Sequence, residues 1–267
     1  MSSLKVLYVA SEITPFLSTT TVAKLVNKLV FAMQEKGIEI RILVPRFGVI
    51  QERKNRLHEV VRLSGVSIPV GNEERILSVK VASIPGSRCQ VYFIDNVDYF
   101  HRKAIYLDEK NNFFEDNDER VIFFCKGVLE TVKNLDWAPD VVHCHDWITS
   151  LIPLYLKTAY QHDPTFQQAK VLYTVYNNRF PTKLTENFAE KAKLRGIQDE
   201  SLRPLAAGFR ELIQAGAQYA DTAVKSEKLD KACFKGLLQE DLPYVANDEQ
   251  GIATYFELYQ QLAQKTQ

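Results

Sequence analysis

Residues 5–17 read KVLYVASEITPFL, and the fold turns on how they are interpreted. Val6–Ala10 is a short apolar run, the pattern of a strand buried on both faces of a parallel sheet. Ser11 and Glu12 end the run, and Pro15 removes a backbone donor from the turn. Ser18, Thr19, Thr20 and Thr21 come next, and their hydroxyls are suited to capping a helix start. Val22, Leu25, Val26, Leu29, Val30 and Met33 then recur at helical spacing, with Gly37 where a C-terminal cap belongs. Ile38–Pro45 forms a second apolar run. Strand, helix and strand in that order predict a βαβ unit.

The alternation continues along the chain. Residues 57–94 read as β-rich, with VVRLSGVSIPV, ILSVKVASI and QVYFID separated by Gly, Asn and Pro turns. A polar and aromatic loop, 95–116, leads to a helix over 118–135 with Val121, Phe124, Cys125, Val128, Val132 and Leu135 on one face. Asp140–Cys144 and Lys170–Val175 are further strands, and 151–160 is a helix. The polar stretch 181–203 reads as a mobile helix or loop, and helices are predicted at 205–219 and 249–264. The expected architecture is α/β: a doubly wound, mostly parallel, Rossmann-like sheet. One domain, 1–248, carries a β-rich insertion at about 57–94, and a C-terminal segment, 249–267, packs back on it through Ile252, Tyr255, Phe256, Tyr259 and Leu262.

Composition narrows the function classes. The 267 residues include 46% hydrophobic side chains, enough for a sizeable core. The 33 basic and 33 acidic residues cancel, which argues against nucleic acid or an anionic membrane as partner. Cys89, Cys125, Cys144 and Cys233 form no CxxC pair, so reduced thiols are expected. The sequence shows neither a signal-like start nor an apolar run long enough to span a bilayer, so a cytoplasmic protein is expected.

Longer stretches carry a resemblance. The opening KVLYVASEITPFL is joined by YFIDNVDYFHRKAIY and by FFEDNDERVIFFCKGVLETVKNLDWAPDVVHCHDW within residues 92–147. VLYTVYN (171–177) and AGAQYAD (215–221) come after them in order. Together these resemble the bacterial glycogen synthase and plant starch synthase family over most of residues 4–225. The resemblance implies one half of a two-domain retaining glucosyltransferase, which moves glucose from ADP- or UDP-glucose to an α-1,4-glucan. In that family the first domain holds the glucan acceptor and part of the donor site. The second holds most nucleotide-sugar contacts, including an S-x-E-P-C-G-L segment that this sequence does not contain.

Against the family pattern, several site positions differ. The family's K-T-G-G-L-A-D-V falls on Ser18 to Leu25, so its lysine becomes Ser18, its paired glycines Thr20 and Thr21, and its aspartate Lys24. Glycine lets backbone N–H groups approach a diphosphate, and the lysine adds positive charge. Threonine is β-branched and brings no charge. Thr19–Thr21 therefore read either as a helix cap or as a residual phosphate site beside Glu12. His145 and Asp146 match the family's H-D-W-H, whose second histidine is replaced by Ile148. Asp146 reads either as an acceptor for sugar hydroxyls or as a cap for the helix opening at Trp147. The histidine of the family's T-I-H-N is replaced by Tyr176, expected to fill the sugar subsite, while Asn177 is retained, and a family lysine is replaced by Gln214. His143 and His145 share a strand face but lack a third ligand, so no metal and no cofactor are assigned.

The expected function is a glycogen/starch synthase-like domain, inactive on its own. Two other classes stay open: a non-catalytic glucan-binding or regulatory module, which either holds α-glucan or maltooligosaccharide on its acceptor face or docks on a full-length synthase, and one half of a split synthase completed by a chain carrying the nucleotide-sugar domain. Candidate site residues are Asp146, His145, Asn177 and Tyr176, with Glu12, Ser18, Thr19, Thr20 and Thr21 as the altered phosphate loop.

Overall fold

The computed structural model describes residues 3–177, 184–194, 196–202, 205, 208–229 and 242–264. Cys233 lies outside the described residues. In chain order the strands are β1 (Lys5–Val9), β2 (Glu39–Pro45), β3 (His58–Glu59), β4 (Val66–Val70), β5 (Glu73–Ser83), β6 (Gln90–Asp95), β7 (Val141–His145), β8 (Lys170–Val175) and β9 (Thr222–Lys225). The α-helices are α1 (Thr21–Glu35), α2 (Glu52–Asn55), α3 (Val97–Phe100), α4 (Asn117–Asn134), α5 (Leu151–Lys157), α6 (Phe188–Ala192), α7 (Asp199–Leu202), α8 (Phe209–Tyr219) and α9 (Glu249–Gln264).

The strands form a mixed sheet in the order β3-β5-β6-β2-β1-β7-β8-β9, with β4 added alongside β5. From β6 through β9 every neighbour is parallel. The central strands are almost wholly apolar and buried because helices cover both faces. On one face α4, α5 and α8 pack together, and on the other α1 and α9. The doubly wound architecture expected from the sequence is present.

Helix α1 shows how local chemistry sets an element. Thr20 caps its start by accepting from Val22 N–H at 3.2 Å. At its end Gly37 takes a φ of 79°, Ile38 N–H reaches the Met33 carbonyl and Gly37 N–H the Gln34 carbonyl. That is a Schellman closure, which a left-handed glycine permits without strain. Between the caps, Val22, Leu25, Val26, Leu29, Val30 and Met33 are buried.

Some expectations change. The region 57–94 is not simply an insertion, because β6 lies within it and pairs in parallel with β2 in the core. Only β3, β4 and β5 form an antiparallel extension. Helix α5 stops at Lys157, short of residue 160. In the stretch 181–203, α6 is anchored: Phe188 and Ala192 are buried, and the Lys126 ammonium donates to the carbonyls of Pro69, Lys191 and Lys193. Cys89, Cys125 and Cys144 are buried free thiols. Among the described residues no helix is long and apolar enough to cross a membrane.

From β1 the chain winds outward to β2 and β6, then returns to start β7 on the other side of β1. The strand order therefore reverses between β1 and β7. In open α/β sheets, ligands bind where the order reverses, beyond the carboxyl ends of the strands.

Candidate functional site

A cleft of about 440 Å³ opens at this reversal point. Its floor comes from the turn after β1 (Ser11, Glu12, Leu17, Thr19, Thr20) and the turn after β7 (Asp146, Trp147). Phe47 and Val49, just past β2, form one wall. Ala104 to Leu107 and Phe113, from the loop before α4, form the other.

The β1 turn is organised around a carboxylate. Glu12 accepts from Thr19 N–H at 2.6 Å, Thr19 Oγ1 at 2.9 Å, Thr20 N–H at 2.7 Å and the Thr20 hydroxyl. Unsatisfied N–H groups and the helix dipole make a helix N-terminus an anion site. Here the anion is the chain's own side chain. Thr20 is both the α1 cap and a Glu12 donor, whereas Ser18 and Thr21 are exposed and line no part of the cleft.

The turn after β7 is strained. Asp146 has φ 70° and ψ 172°, a backbone region almost confined to glycine. Three contacts hold it there. Asp146 N–H donates to the Thr174 carbonyl at 3.1 Å, and the Asp146 carbonyl accepts from Thr149 N–H at 3.1 Å and Thr149 Oγ1 at 2.7 Å. The next residues, Trp147–Thr149, form a 3₁₀ turn that the Asp146 side chain does not cap. Of the two readings of Asp146, the capping one has no support in this geometry. Strain of this type concentrates at functional sites.

An aromatic wall completes the cleft. Tyr106 lies 4.7 Å from Trp147 and 5.3 Å from Phe47, ring centre to ring centre. Its hydroxyl is buried, and burial together with the Asp146 carboxylate pushes its pKa well up.

His145 and Tyr176 sit elsewhere. His145 Nδ1 is bonded to the Tyr176 hydroxyl at 2.9 Å, and both residues are fully buried outside the cleft lining. Tyr176 thus meets His145 rather than the cleft. Beside them, His143 Nδ1 bonds Tyr259 at 2.7 Å and His143 Nε2 bonds Thr174 at 2.7 Å. Tyr259 donates onward to Tyr8 at 3.2 Å. Helix α9 seals this network by laying Tyr255 and Tyr259 on the sheet. Burial lowers the His145 pKa to about 3 and holds His143 well below its ordinary value. Both imidazoles are neutral at pH 7. Asn177 is exposed at the end of β8, where its N–H donates to Glu227 at 2.7 Å. Among the described residues no group of three His, Cys, Asp or Glu side chains could hold a metal ion.

Phe47 and Val49 belong to no motif that the sequence displays. Their signal is positional: Phe47 and Val49 come just past the carboxyl end of a parallel strand beside the reversal point.

A cleft at the reversal point of a doubly wound sheet, lined by aromatic rings and carboxylates, defines a Rossmann-like α/β domain with its cleft where such sheets bind ligands. The chain belongs to the starch synthase catalytic domain family, whose model matches residues 5–228. It is 44% identical over 174 residues to a glycogen synthase of Chlorobium luteolum, covering 65% of this chain and 36% of that protein. With a glycogen synthase of Chlorobium phaeobacteroides it shares 37% identity over 228 residues, 82% of this chain and 47% of the relative. The catalytic domain of starch synthase IV from Arabidopsis thaliana, solved bound to ADP and acarbose, superposes with a TM-score of 0.68 at 18% identity. That superposition covers 85% of this chain and 45% of the other, and shows the shared fold. The chain spans less than half the length of these relatives.

Proposed function

We propose that this glycogen/starch synthase-like glycosyltransferase domain binds α-1,4-glucan in the cleft and does not, by itself, transfer glucose from ADP- or UDP-glucose. The observation that carries this reading is the Glu12 carboxylate on the N-terminus of α1. A donor diphosphate arriving there would have to displace an anion from two N–H groups and two hydroxyls. Among the described residues the cleft lining offers it no cationic side chain. Losing one charge-assisted phosphate contact costs about 1.5–3 kcal/mol, and about 1.4 kcal/mol is tenfold in affinity. The loss of the family's lysine alone is expected to weaken donor binding by about tenfold or more, and the Thr19 and Thr20 amides are already held by Glu12.

A neutral polyol suits the same cleft. Asp146 brings a carboxylate to the lining as an acceptor for hydroxyl groups, and Tyr106 and Trp147 line it with ring faces suited to sugars. We assign residues 1–248 as an acceptor-side domain and 249–267 as a segment whose helix packs back on it. Calorimetric titration of the purified chain with maltoheptaose, ADP-glucose and UDP-glucose tests the proposal. Maltoheptaose is expected to bind and both nucleotide sugars to bind far more weakly. Incorporation of labelled glucose into glycogen by the chain alone, abolished by Asp146→Ala, would overturn it. Incorporation that requires a second chain bearing a nucleotide-sugar domain would establish the split synthase instead.

A further inference from the structure

Arg120 is one of the largest fully buried side chains in the molecule, and it lies behind the cleft rather than in its lining. Its guanidinium lies at the centre of four aromatic rings, 5.4 Å from Phe47 and Phe100 and 5.8 Å from Tyr106 and Phe114. Two of these residues, Phe47 and Tyr106, also belong to the cleft lining. Arg120 Nη1 donates to Asn117 Oδ1, and Asn117 Nδ2 donates to the Tyr106 carbonyl at 2.8 Å. Tyr106 is thus held twice from the same helix turn, through its ring and through its backbone. Arg120 Nε and Nη2 are buried with no hydrogen-bond partner among the described residues. A buried guanidinium with idle donors is a poor way to fill a core, because an apolar chain of similar length would avoid the desolvation cost. Its attraction for ring faces is the interaction such a side chain gains in exchange.

We infer that Arg120 is a positioning residue for glucan binding: from behind the cleft it fixes the Tyr106 ring, and through it Trp147, in the orientation that receives the sugar. This rests on the glucan-binding reading of the cleft. The residue is buried and absent from the cleft lining, so it is a positioning residue and not a ligand contact. Its effect passes from guanidinium to Tyr106, and from Tyr106 to Trp147 at 4.7 Å.

The test uses Arg120→Met and Arg120→Lys in a Trp137→Phe background, so that Trp147 is the one tryptophan emitting. Each variant is measured for thermal midpoint, acrylamide quenching of Trp147 and maltoheptaose affinity. Arg120→Met should keep its cooperative melt, make Trp147 more accessible to quencher and weaken maltoheptaose binding by about tenfold, a loss within the range of a desolvated cation–π contact. Arg120→Lys, which keeps a cation near the rings, should recover most of both signals. Unchanged quenching and affinity in Arg120→Met would overturn the inference, as would an affinity loss that Lys does not restore in a variant melting like the parent. If Arg120→Met does not fold, the Lys variant decides: parent-like affinity supports the role, and a full loss with an unchanged melt overturns it. If the parent itself binds no maltoheptaose, the glucan reading falls, and the positioning of Trp147 is judged on quenching alone.

Discussion

Two polar regions lie side by side at the carboxyl ends of β1 and β7, and they are built to opposite specifications. Beneath α9, His143, His145, Tyr8, Tyr176 and Tyr259 are fully buried and joined by hydrogen bonds of 2.7 to 3.2 Å. One residue further on, Asp146 opens the cleft, with a strained backbone and a carboxylate facing a 440 Å³ space. The sealed region ties most of its polar groups to one another and so contributes rigidity, with His145 Nε2 the buried atom of this layer left without a hydrogen-bond partner among the described residues. The open one brings a carboxylate and aromatic rings to the cleft lining, at a cost in local strain. Adjacent residues in one strand-and-turn thus divide between a sealed layer of the core and the lining of a cleft.

The largest effect should come from unsealing the first region. Tyr259→Ala removes a fully buried ring and leaves His143 and Tyr8 without their shared partner. A loss of about 3–5 kcal/mol is expected, as for other large core truncations, read by urea unfolding. A variant as stable as the parent would mean α9 is not part of the core. Next comes acid. Between pH 6.5 and about 3 the unfolded chain protonates His145 while the folded chain does not, and His143 behaves in the same direction. Stability should therefore fall as pH drops below 6.5, by about 1.4 kcal/mol per pH unit for each histidine. His145→Gln should flatten that slope by about one histidine's share, and an unaltered slope would count against a neutral buried imidazole.

The cleft side should respond less and differently. Glu12→Gln keeps the shape of the β1 turn but removes the charge that two N–H groups and two hydroxyls address. It should cost about 1–3 kcal/mol of stability and make the α1 terminus more receptive to inorganic phosphate, measured by phosphate titration. Equal phosphate affinity in both forms would show that Glu12 does not occupy the anion position. The smallest effect has the opposite sign. Asp146→Gly relieves a backbone conformation that glycine adopts freely, so the variant should gain about 1 kcal/mol while losing maltoheptaose affinity. A destabilised Asp146→Gly would mean that the turn is not strained.

How legible the sequence is differs between these regions for physical reasons. Strands β1, β2, β7 and β8 and helix α9 can be read to within a residue or so, because apolar runs and helical spacing are local signals. Strand β9 cannot, since Thr222–Lys225 is short and mostly half-buried. The placement of β6 is also hidden, because pairing with β2 is a tertiary choice that its own residues do not announce. At the site, Asp146 and Glu12 can be found by their position after strands. The roles of His145 and Tyr176 cannot, because they depend on α9, which arrives from far along the chain. Adjacency suggests that His145 and Asp146 act together, yet only Asp146 lines the cleft.

The hydrogen bond between Tyr259 and Tyr8 spans 251 residues, among the longest separations a chain of this length permits. Contacts between such distant segments form only after the intervening loop has closed, and closure on that scale slows folding. The histidine layer should therefore be a late event, with the sheet face over β1, β7 and β8 standing wet until α9 docks. During that interval two neutral imidazoles and several tyrosine hydroxyls are accessible to solvent and to other chains. In refolding, Tyr259 contacts should influence the unfolding rate far more than the folding rate, so that α9 acts as a latch on how long the native state lasts.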